Sequence, residues 1–277
     1  MTSYQTISIA TQDAVARVDL NRPDNGNCLN AVMWRELKCV FNELDAMPEI
    51  RAVVLGGRGK HFSTGIDLAF LMSVQQELKR LPEGSKQEYL RHFISDLQDS
   101  VNAIERCRKP VLAAVQGFCL GAGVDIIAAC DMRYATPATR FSVKEVDLAI
   151  VADLGSLQRL PAILGQGVTR ELAYTGRMFK GQEALAMGLV NRLFPKTEEL
   201  ADGAMALGID LAAKSPLTLR GIKETMNYSR DHTIAEGLEY VAQRNAAMLL
   251  STDLEEALAA FKEKRTARYE DHLNFRD

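Results

Sequence analysis

The chain has 277 residues, 47% hydrophobic and 25% charged, with a formal net charge of −3. This balance excludes the basic excess that suits nucleic acid or an anionic membrane. The five cysteines and four histidines lack metal-ligand spacing, and the sequence has neither a secretory signal nor a membrane-length apolar run. The C-terminal HLNFRD is not a peroxisomal address. We therefore predict a cytoplasmic protein with no metal, no nucleic-acid partner and no membrane partner.

Strand and helix patterns alternate through the first two thirds of the chain, which favours an α/β fold with crossover connections. Residues 196–265 are almost continuously helical in pattern. We therefore predict a core over residues 1–195 and an α-helical region over residues 196–277. The main predicted elements of the core are strands at 14–20, 52–57 and 111–117 and helices at 31–44, 90–104 and 121–130, with Asn30 as the N-cap of the first helix.

The segment GGRGKHFSTGIDL (56–68) is a glycine-rich turn after a predicted strand. It fails the Walker pattern because His61 follows Lys60, and its glycines lack the G-x-G-x-x-G spacing. It does supply a helix N-terminus at residues 65–68, where backbone N–H groups have no partner within the helix. A plain tight turn is the alternative interpretation.

The segment QGFCLGAGVDIIAACD (116–131) repeats the order of strand, glycines and helix start. Two such turns can aim two backbone N–H groups at one oxygen, which is the geometry of an oxyanion hole. Asp125 lies in the first turn of the second helix, where interaction with the helix dipole is its simplest role.

The segment KEVDLAIVADLGSLQRLP (144–161) carries carboxylates in an apolar run. On a continuous helix, Glu145 and Asp153 would lie near the same face, whereas a bend would let them converge on a pocket. Two acids in an apolar cavity can remove a proton from one carbon and return it to another. In the alternative interpretation Glu145 is an exposed residue and Asp153 is a helix N-cap. Asp147 could simply point to solvent.

Together these segments resemble the crotonase superfamily (the enoyl-CoA hydratase/isomerase family) over essentially the full chain. The resemblance implies a crotonase-like spiral of repeated ββα units and an α-helical C-terminal trimerisation region. It also implies an acyl-CoA thioester partner, a homotrimer or hexamer, and no cofactor other than the coenzyme A of the substrate. The segments that carry it are NRPDNGNCLN (21–30), HFSTGIDL (61–68), CLGAGVDIIAACDMRYAT (119–136), FSVKEVDLAIVADLGSLQRLP (141–161) and TGRMFKGQEALAMGLVNRLFP (175–195).

The acids select a reaction within this resemblance. A hydratase has glutamates at the positions of Asp125 and Glu145, whereas the Δ3,5–Δ2,4-dienoyl-CoA isomerases are similar to this chain at Asp125, Glu145 and Asp153. The resemblance therefore implies conversion of a 3,5-dienoyl-CoA to a 2,4-dienoyl-CoA in fatty acid β-oxidation. Glu145 is the candidate base at C2, Asp153 the candidate acid at C6, and Asp125 a third catalytic residue that orients groups or tunes charge.

The resemblance also assigns binding positions. The oxyanion donors fall on the backbone N–H groups of Ile66 and Ala122, and the family often has Gly at the second position. The implied substrate and CoA contacts are Asn27, Cys28, Leu29, Lys60, Phe62, Ser63, Gly65, Leu68 and Gly121.

Three other functions stay open at this point. A trans-2-enoyl-CoA hydratase would use Asp125 and Glu145 to position a water, but it does not require Asp153. A non-catalytic RNA-binding or scaffold member of the family would be expected to show a lysine-rich surface helix. Another acyl-CoA reaction, such as hydrolysis, could use the same oxyanion hole.

Overall fold

The computed structural model describes residues 3–271. Residues 1–2 and 272–277, which include the outer ends of both predicted domains and the HLNFRD segment, lie outside the described residues. Within the described part, the strands are β1 (Ile7–Gln12), β2 (Val15–Leu20), β3 (Ala52–Gly57), β4 (Val111–Val115), β5 (Phe118–Leu120), β6 (Met132–Ala135), β7 (Arg140–Ser142), β8 (Phe179–Lys180) and β9 (Arg192–Leu193).

Helices follow most strand pairs and make up the C-terminal region. Single turns of 3-10 helix lie at Pro23–Asn25 and Glu145–Leu148. The α-helices are α1 (Ala31–Ala46), α2 (Leu68–Arg80), α3 (Glu83–Arg106), α4 (Ala122–Ala128), α5 (Ser156–Leu164), α6 (Gln166–Thr175), α7 (Gly181–Ala186), α8 (Thr197–Ala212), α9 (Pro216–Ser229), α10 (Ile234–Met248) and α11 (Thr252–Glu263).

The strands form two sheets that the chain visits in turn. The larger sheet has the order β1-β2-β3-β4-β6-β9 and is parallel except for the β1–β2 hairpin. The smaller sheet has the order β5-β7-β8. Strand β4 of the larger sheet is followed by β5 of the smaller sheet and then by α4. This confirms the predicted spiral of ββα units and the helical C-terminal region; trimerisation stays a prediction.

Successive strand-to-helix turns lie side by side. Isolated parallel bridges join Leu29 to Ile66 and Ser63 to Cys119. The turn before α2 is thereby aligned with the turn before α4, because both follow a short extended segment next to the smaller sheet. This alignment brings the two glycine-rich segments of the sequence to one place.

Strand β3 is apolar throughout because both faces of the larger sheet are covered. Val53 and Leu55 face the main core, whereas Ala52 and Val54 belong to a second cluster against helix α8. Helix α8 therefore packs on the sheet although it lies beyond residue 195. The predicted division at that residue stays a prediction.

The described residues offer neither a membrane-spanning helix nor a metal-binding cluster. No helix within residues 3–271 is long and apolar enough to cross a membrane. The same residues contain no group of three or more His, Cys, Asp or Glu side chains that could hold a metal ion.

Candidate active site

A bend separates Glu145 from Asp153. The 3-10 turn Glu145–Leu148 ends at Ala149, whose φ of 55° lies in the left-handed region. A continuous helix over this segment is therefore excluded, and the two acids approach from different backbone directions. Asp147 is exposed and pairs with Lys144, as the sequence analysis allowed.

Glu145 is half-buried, and one of its carboxyl oxygens has no hydrogen-bond partner. Its Oε2 atom is inaccessible to solvent and has no hydrogen-bond partner. Its Oε1 atom lies against Gly121, where an added Cβ would be 3.2 Å away, and Gly121 has a φ of 50°. Burial, then the charges of Asp125 and Asp153, raise the pKa of Glu145 to about 7. Such a carboxyl can both accept and release a proton near neutral pH.

Asp125 holds the start of helix α5. Its Oδ1 accepts a hydrogen bond of 2.7 Å from the Ser156 backbone N–H. The N-cap residue of α5 is Gly155, so the interpretation of Asp153 as the N-cap is wrong. The carboxylate of Asp125, in α4, accepts the hydrogen bond from the first N–H group of α5 instead. Burial raises the pKa of Asp125 to about 6, with a further contribution from the charge of Asp153.

Asp153 lies at the rim of the acid cluster, which is the group formed by Asp125, Glu145 and Asp153. It is half-buried, and burial raises the pKa of its carboxyl against the effect of a hydrogen bond from its own backbone N–H. It also lines an open cleft of about 530 Å³ with the polar side chains Gln98, Asn102, Glu105 and Arg159. Asp153 can therefore exchange protons with solvent more readily than Glu145 can.

The two predicted oxyanion donors lie in adjacent turns. Ala122 is the first residue of α4, and neither its N–H nor that of Ile66 donates a hydrogen bond to any described residue. A Cβ built on Gly65 would lie 3.8 Å from the Ala122 nitrogen and 3.0 Å from the Leu120 carbonyl oxygen. Gly65 has a φ of 94°, so this position needs glycine both for its conformation and for the close approach.

The turn that carries Ile66 is fixed on both sides, by Leu29 and by two residues that the sequence analysis did not single out, Asp67 and Arg22. The backbone of Leu29 accepts from Asp67 N–H and donates to the Gly65 carbonyl. Asp67 caps α2 by accepting from the N–H groups of Ala69 and Phe70, and Arg22 donates to it at 2.9 Å. An Asp directly before an apolar helix start was the available signal.

Four of the predicted substrate contacts have side chains that face the core. Asn27, Leu29, Phe62 and Ser63 are fully buried. The Asn27 amide donates to the carbonyls of Arg58 and His61, so it ties loops together and cannot reach a ligand. The buried side chains of these four positions support the loops of the site. Contact of these positions with substrate stays a prediction.

The remaining predicted contacts are more accessible or belong to the turns themselves. Lys60 and Leu68 are exposed, and Cys28 is half-buried beside Arg22 and Asp67. Gly65 and Gly121 are buried in the two turns and can offer only backbone atoms. Their contact with substrate stays a prediction.

The fold and this pair of turns match a known family. The family model described as enoyl-CoA hydratase/isomerase matches residues 10–272. The crystal structure of enoyl-CoA hydratase from Bacillus anthracis superimposes with a TM-score of 0.88 at 31% identity, covering 97% of this chain and 100% of that one. The chain belongs to the enoyl-CoA hydratase/isomerase family.

Relatives with higher identity carry a narrower name. The chain is 44% identical over 273 residues to the peroxisomal Delta(3,5)-Delta(2,4)-dienoyl-CoA isomerase of Arabidopsis thaliana, covering 97% of this chain and 98% of that one. It is 43% identical over 265 residues to the mitochondrial Delta(3,5)-Delta(2,4)-dienoyl-CoA isomerase of Homo sapiens, covering 95% of this chain and 81% of that one.

These names also correct the predicted location. The sequence analysis predicted a cytoplasmic protein from the absence of recognisable targeting signals. The relatives above are named as peroxisomal and mitochondrial proteins, so the cytoplasmic prediction is wrong. Composition does not reveal location, because a folded enzyme core needs the same residues in either compartment.

Proposed function

We propose that the chain is a Δ3,5-Δ2,4-dienoyl-CoA isomerase. Relatives with this name are 36–44% identical over nearly the full chain. The structural observation that carries the proposal is Asp153, a third acid that is half-buried and lines an open cleft. After burial, its charge is one of the causes that raise the pKa of both Glu145 and Asp125. A site that only positions a water between two acids has no use for it.

The reaction moves one proton along an extended dienoyl thioester. Loss of a proton from C2 gives a conjugated enolate whose negative charge rests on the thioester oxygen, and a proton gained at C6 leaves double bonds at C2 and C4. The free N–H groups of Ile66 and Ala122 would hold that oxygen, each contributing about 3–4 kcal/mol to stabilisation of the transition state. No redox step occurs, so the chemistry asks for no cofactor beyond the coenzyme A of the substrate.

The two acids proposed to transfer protons, Glu145 and Asp153, differ in how readily they exchange protons with solvent. Glu145, with a pKa raised to about 7, is ionised in a large fraction of molecules at neutral pH and would remove the C2 proton. Asp153, at the solvent-connected rim, would deliver a proton to C6 and recover one from the cleft. Asp125 would keep the Asp153 loop in place through its bond to Ser156 N–H.

The substrate would enter past the exposed residues of the glycine-rich turn before helix α2. Lys60 offers a positive charge for coenzyme A phosphate, and Leu68 offers an apolar surface to the acyl chain. Cys28, Gly65 and Gly121 would contact the thioester end through backbone atoms. Exposed Met72, Leu148 and Val151 would extend the apolar wall.

Ultraviolet spectroscopy tests the proposal directly. Purified protein is mixed with 3,5-octadienoyl-CoA, and the absorbance of a dienoyl group conjugated to the thioester is followed. We expect a rise that Asp153→Asn reduces to a small residual rate. A protein that leaves the spectrum unchanged would refute the isomerase.

The hydratase is the second candidate, because a solved relative of 31% identity carries that name. It predicts loss of the enoyl chromophore from a 2-enoyl-CoA, with Asp153→Asn as active as the original chain. The same protein samples serve for both assays, so the two functions are compared under one set of conditions.

We also propose that the chain assembles as a homotrimer or hexamer through its C-terminal helices. Large apolar side chains are exposed there: Ile234 is 84%, Leu250 92% and Phe261 84% accessible in the single chain. Exposure of this kind marks an interaction surface. Light scattering after size-exclusion chromatography should give three or six times 30.6 kDa, and a monomer at micromolar concentration would contradict the assignment.

A further inference from the structure

We propose that one polar face of helix α3, formed by Gln98, Asn102 and Glu105, positions the Asp153 carboxyl for proton delivery. This α3 polar face deepens the proposed isomerase and rests on it. The three residues are spaced four and three apart, so they lie on one side of the helix. None of them is a catalytic residue, because they act on the backbone that carries Asp153.

Gln98 makes the direct contact. Its Nε2 donates a hydrogen bond of 2.7 Å to the backbone carbonyl oxygen of Asp153. Gln98 lies near the middle of a 24-residue helix, which is a firmer base than a loop. The bond therefore ties the residue that carries the rim acid to the main body of the fold.

Asn102 and Glu105 act through Arg159. The buried Arg159 guanidinium donates to Asn102 Oδ1 at 2.7 Å and to Glu105 Oε2 at 2.8 Å. It also approaches the carbonyl oxygen of Leu154, the residue after Asp153, at 3.5 Å. Arg159 thus spans the gap between α3 and the loop that begins at Asp153.

The other end of this loop is held equally closely. Gly155 has a φ of 121°, and a methyl group there would overlap the Arg159 guanidinium. Ser156 N–H donates to Asp125, as described above. Residues 153–156 are therefore restrained one after another, by α3, by Arg159 and by α4. Such restraint suits a proton donor, because misplacing it by about 1 Å costs on the order of 100-fold in rate.

The test replaces Gln98 with methionine, which keeps the length of the side chain and removes the donor. The matched control is Gln87→Met on the exposed first part of the same helix, where the amide bonds only to Glu83. With 3,5-octadienoyl-CoA as the probe, we expect Gln98→Met to lower kcat by about 10- to 100-fold. KM should stay within about twofold, and Gln87→Met should match the original chain in both constants.

A second pair of variants separates positioning from general loosening. In an Asp153→Asn background, adding Gln98→Met should have no further effect on the residual rate, because the carboxyl to be positioned is gone. Thermal unfolding of all variants checks that they are folded.

Two results would overturn the inference while leaving the isomerase intact: a Gln98→Met variant as fast as Gln87→Met, or an equal loss of rate with and without Asp153. If the original chain does not convert the dienoyl thioester at all, the proposed function fails, and the inference fails with it.

Discussion

Glu105 and Glu145 are both half-buried glutamates, but the hydrogen bonds and charges around them differ. Burial alone would raise the pKa of Glu105, but hydrogen bonds from Arg159 and Arg230 outweigh it and lower that pKa. Glu145 has one oxygen without a partner and two acids nearby, and its pKa rises to about 7. This fold therefore compensates the charge of one acid that serves structure and leaves another uncompensated where proton transfer is proposed.

The strongest test of this comparison is Glu145→Gln. We expect the isomerase rate to fall about 1000-fold, because the amide cannot take up a proton from C2. Stability should stay the same or rise, since an uncompensated buried charge is removed. Steady-state kinetics and urea unfolding of one preparation measure both. A rate within tenfold of the original chain would remove Glu145 from the mechanism.

The reciprocal change is Glu105→Gln. We expect the free energy of unfolding to fall by about 2 kcal/mol, because two arginines lose their counter-charge. This is below the range for a deeply buried pair, since Arg230 remains 40% exposed. Its loss of rate should be much smaller than that of Glu145→Gln. A variant as stable as the original chain would show that the ion pairs do not compensate the burial of Glu105.

The pH dependence of stability sharpens the same contrast. Glu145 has a raised pKa in the folded state, so its contribution is fully present below pH 4.5 and is lost as the pH rises through about 7. A shift from 4.5 to about 7 corresponds to about 3 kcal/mol, or about 2 kcal/mol after allowing for solvent. Glu105 has the opposite sign and loses its contribution only at acid pH. Glu145→Gln should flatten the decline between pH 5 and 8 in urea unfolding; an unchanged slope would contradict the raised pKa.

The smallest expected effect concerns Asp125. Its carboxyl accepts a hydrogen bond, like that of Glu105, but its pKa is raised, like that of Glu145. Asp125→Asn keeps an oxygen for Ser156 N–H and removes the charge, so stability at pH 7.5 should not fall. Asp125→Ala removes the acceptor as well and should be less stable than the asparagine variant by about 1 kcal/mol. Thermal unfolding of the pair gives the difference, and equal stability would mean that the bond from α4 does not hold α5.

Much of the fold was predictable because local and long-range signals agree. Asn30 caps α1 through its bond to Met33 N–H, as predicted. The apolar AVVLGG became the central strand β3, with cover on both faces. Helix α3 is longer than predicted at its N-terminal end, because its first turns are polar and carry no apolar periodicity.

The site was less predictable. The acids and the two turns stand out in the sequence because they interrupt an apolar or glycine-rich context. The α3 polar face does not, since Gln98, Asn102 and Glu105 lie beside the buried stripe of Leu97, Val101 and Ile104 and resemble an ordinary solvated face. Four buried residues were predicted as ligand contacts for a related reason. A single sequence does not distinguish a residue that touches a ligand from a residue that supports the loop touching it.

Helix α8 has a consequence for how the protein is made. Leu200, Ala204 and Ala212 cover Val54 and its neighbours on the outer face of the larger sheet. A nascent chain emerging from the ribosome therefore presents an uncovered apolar sheet until residue 212 has left the exit tunnel. Helix α8 is thus what keeps this face of the newly synthesised core from meeting the core of another chain.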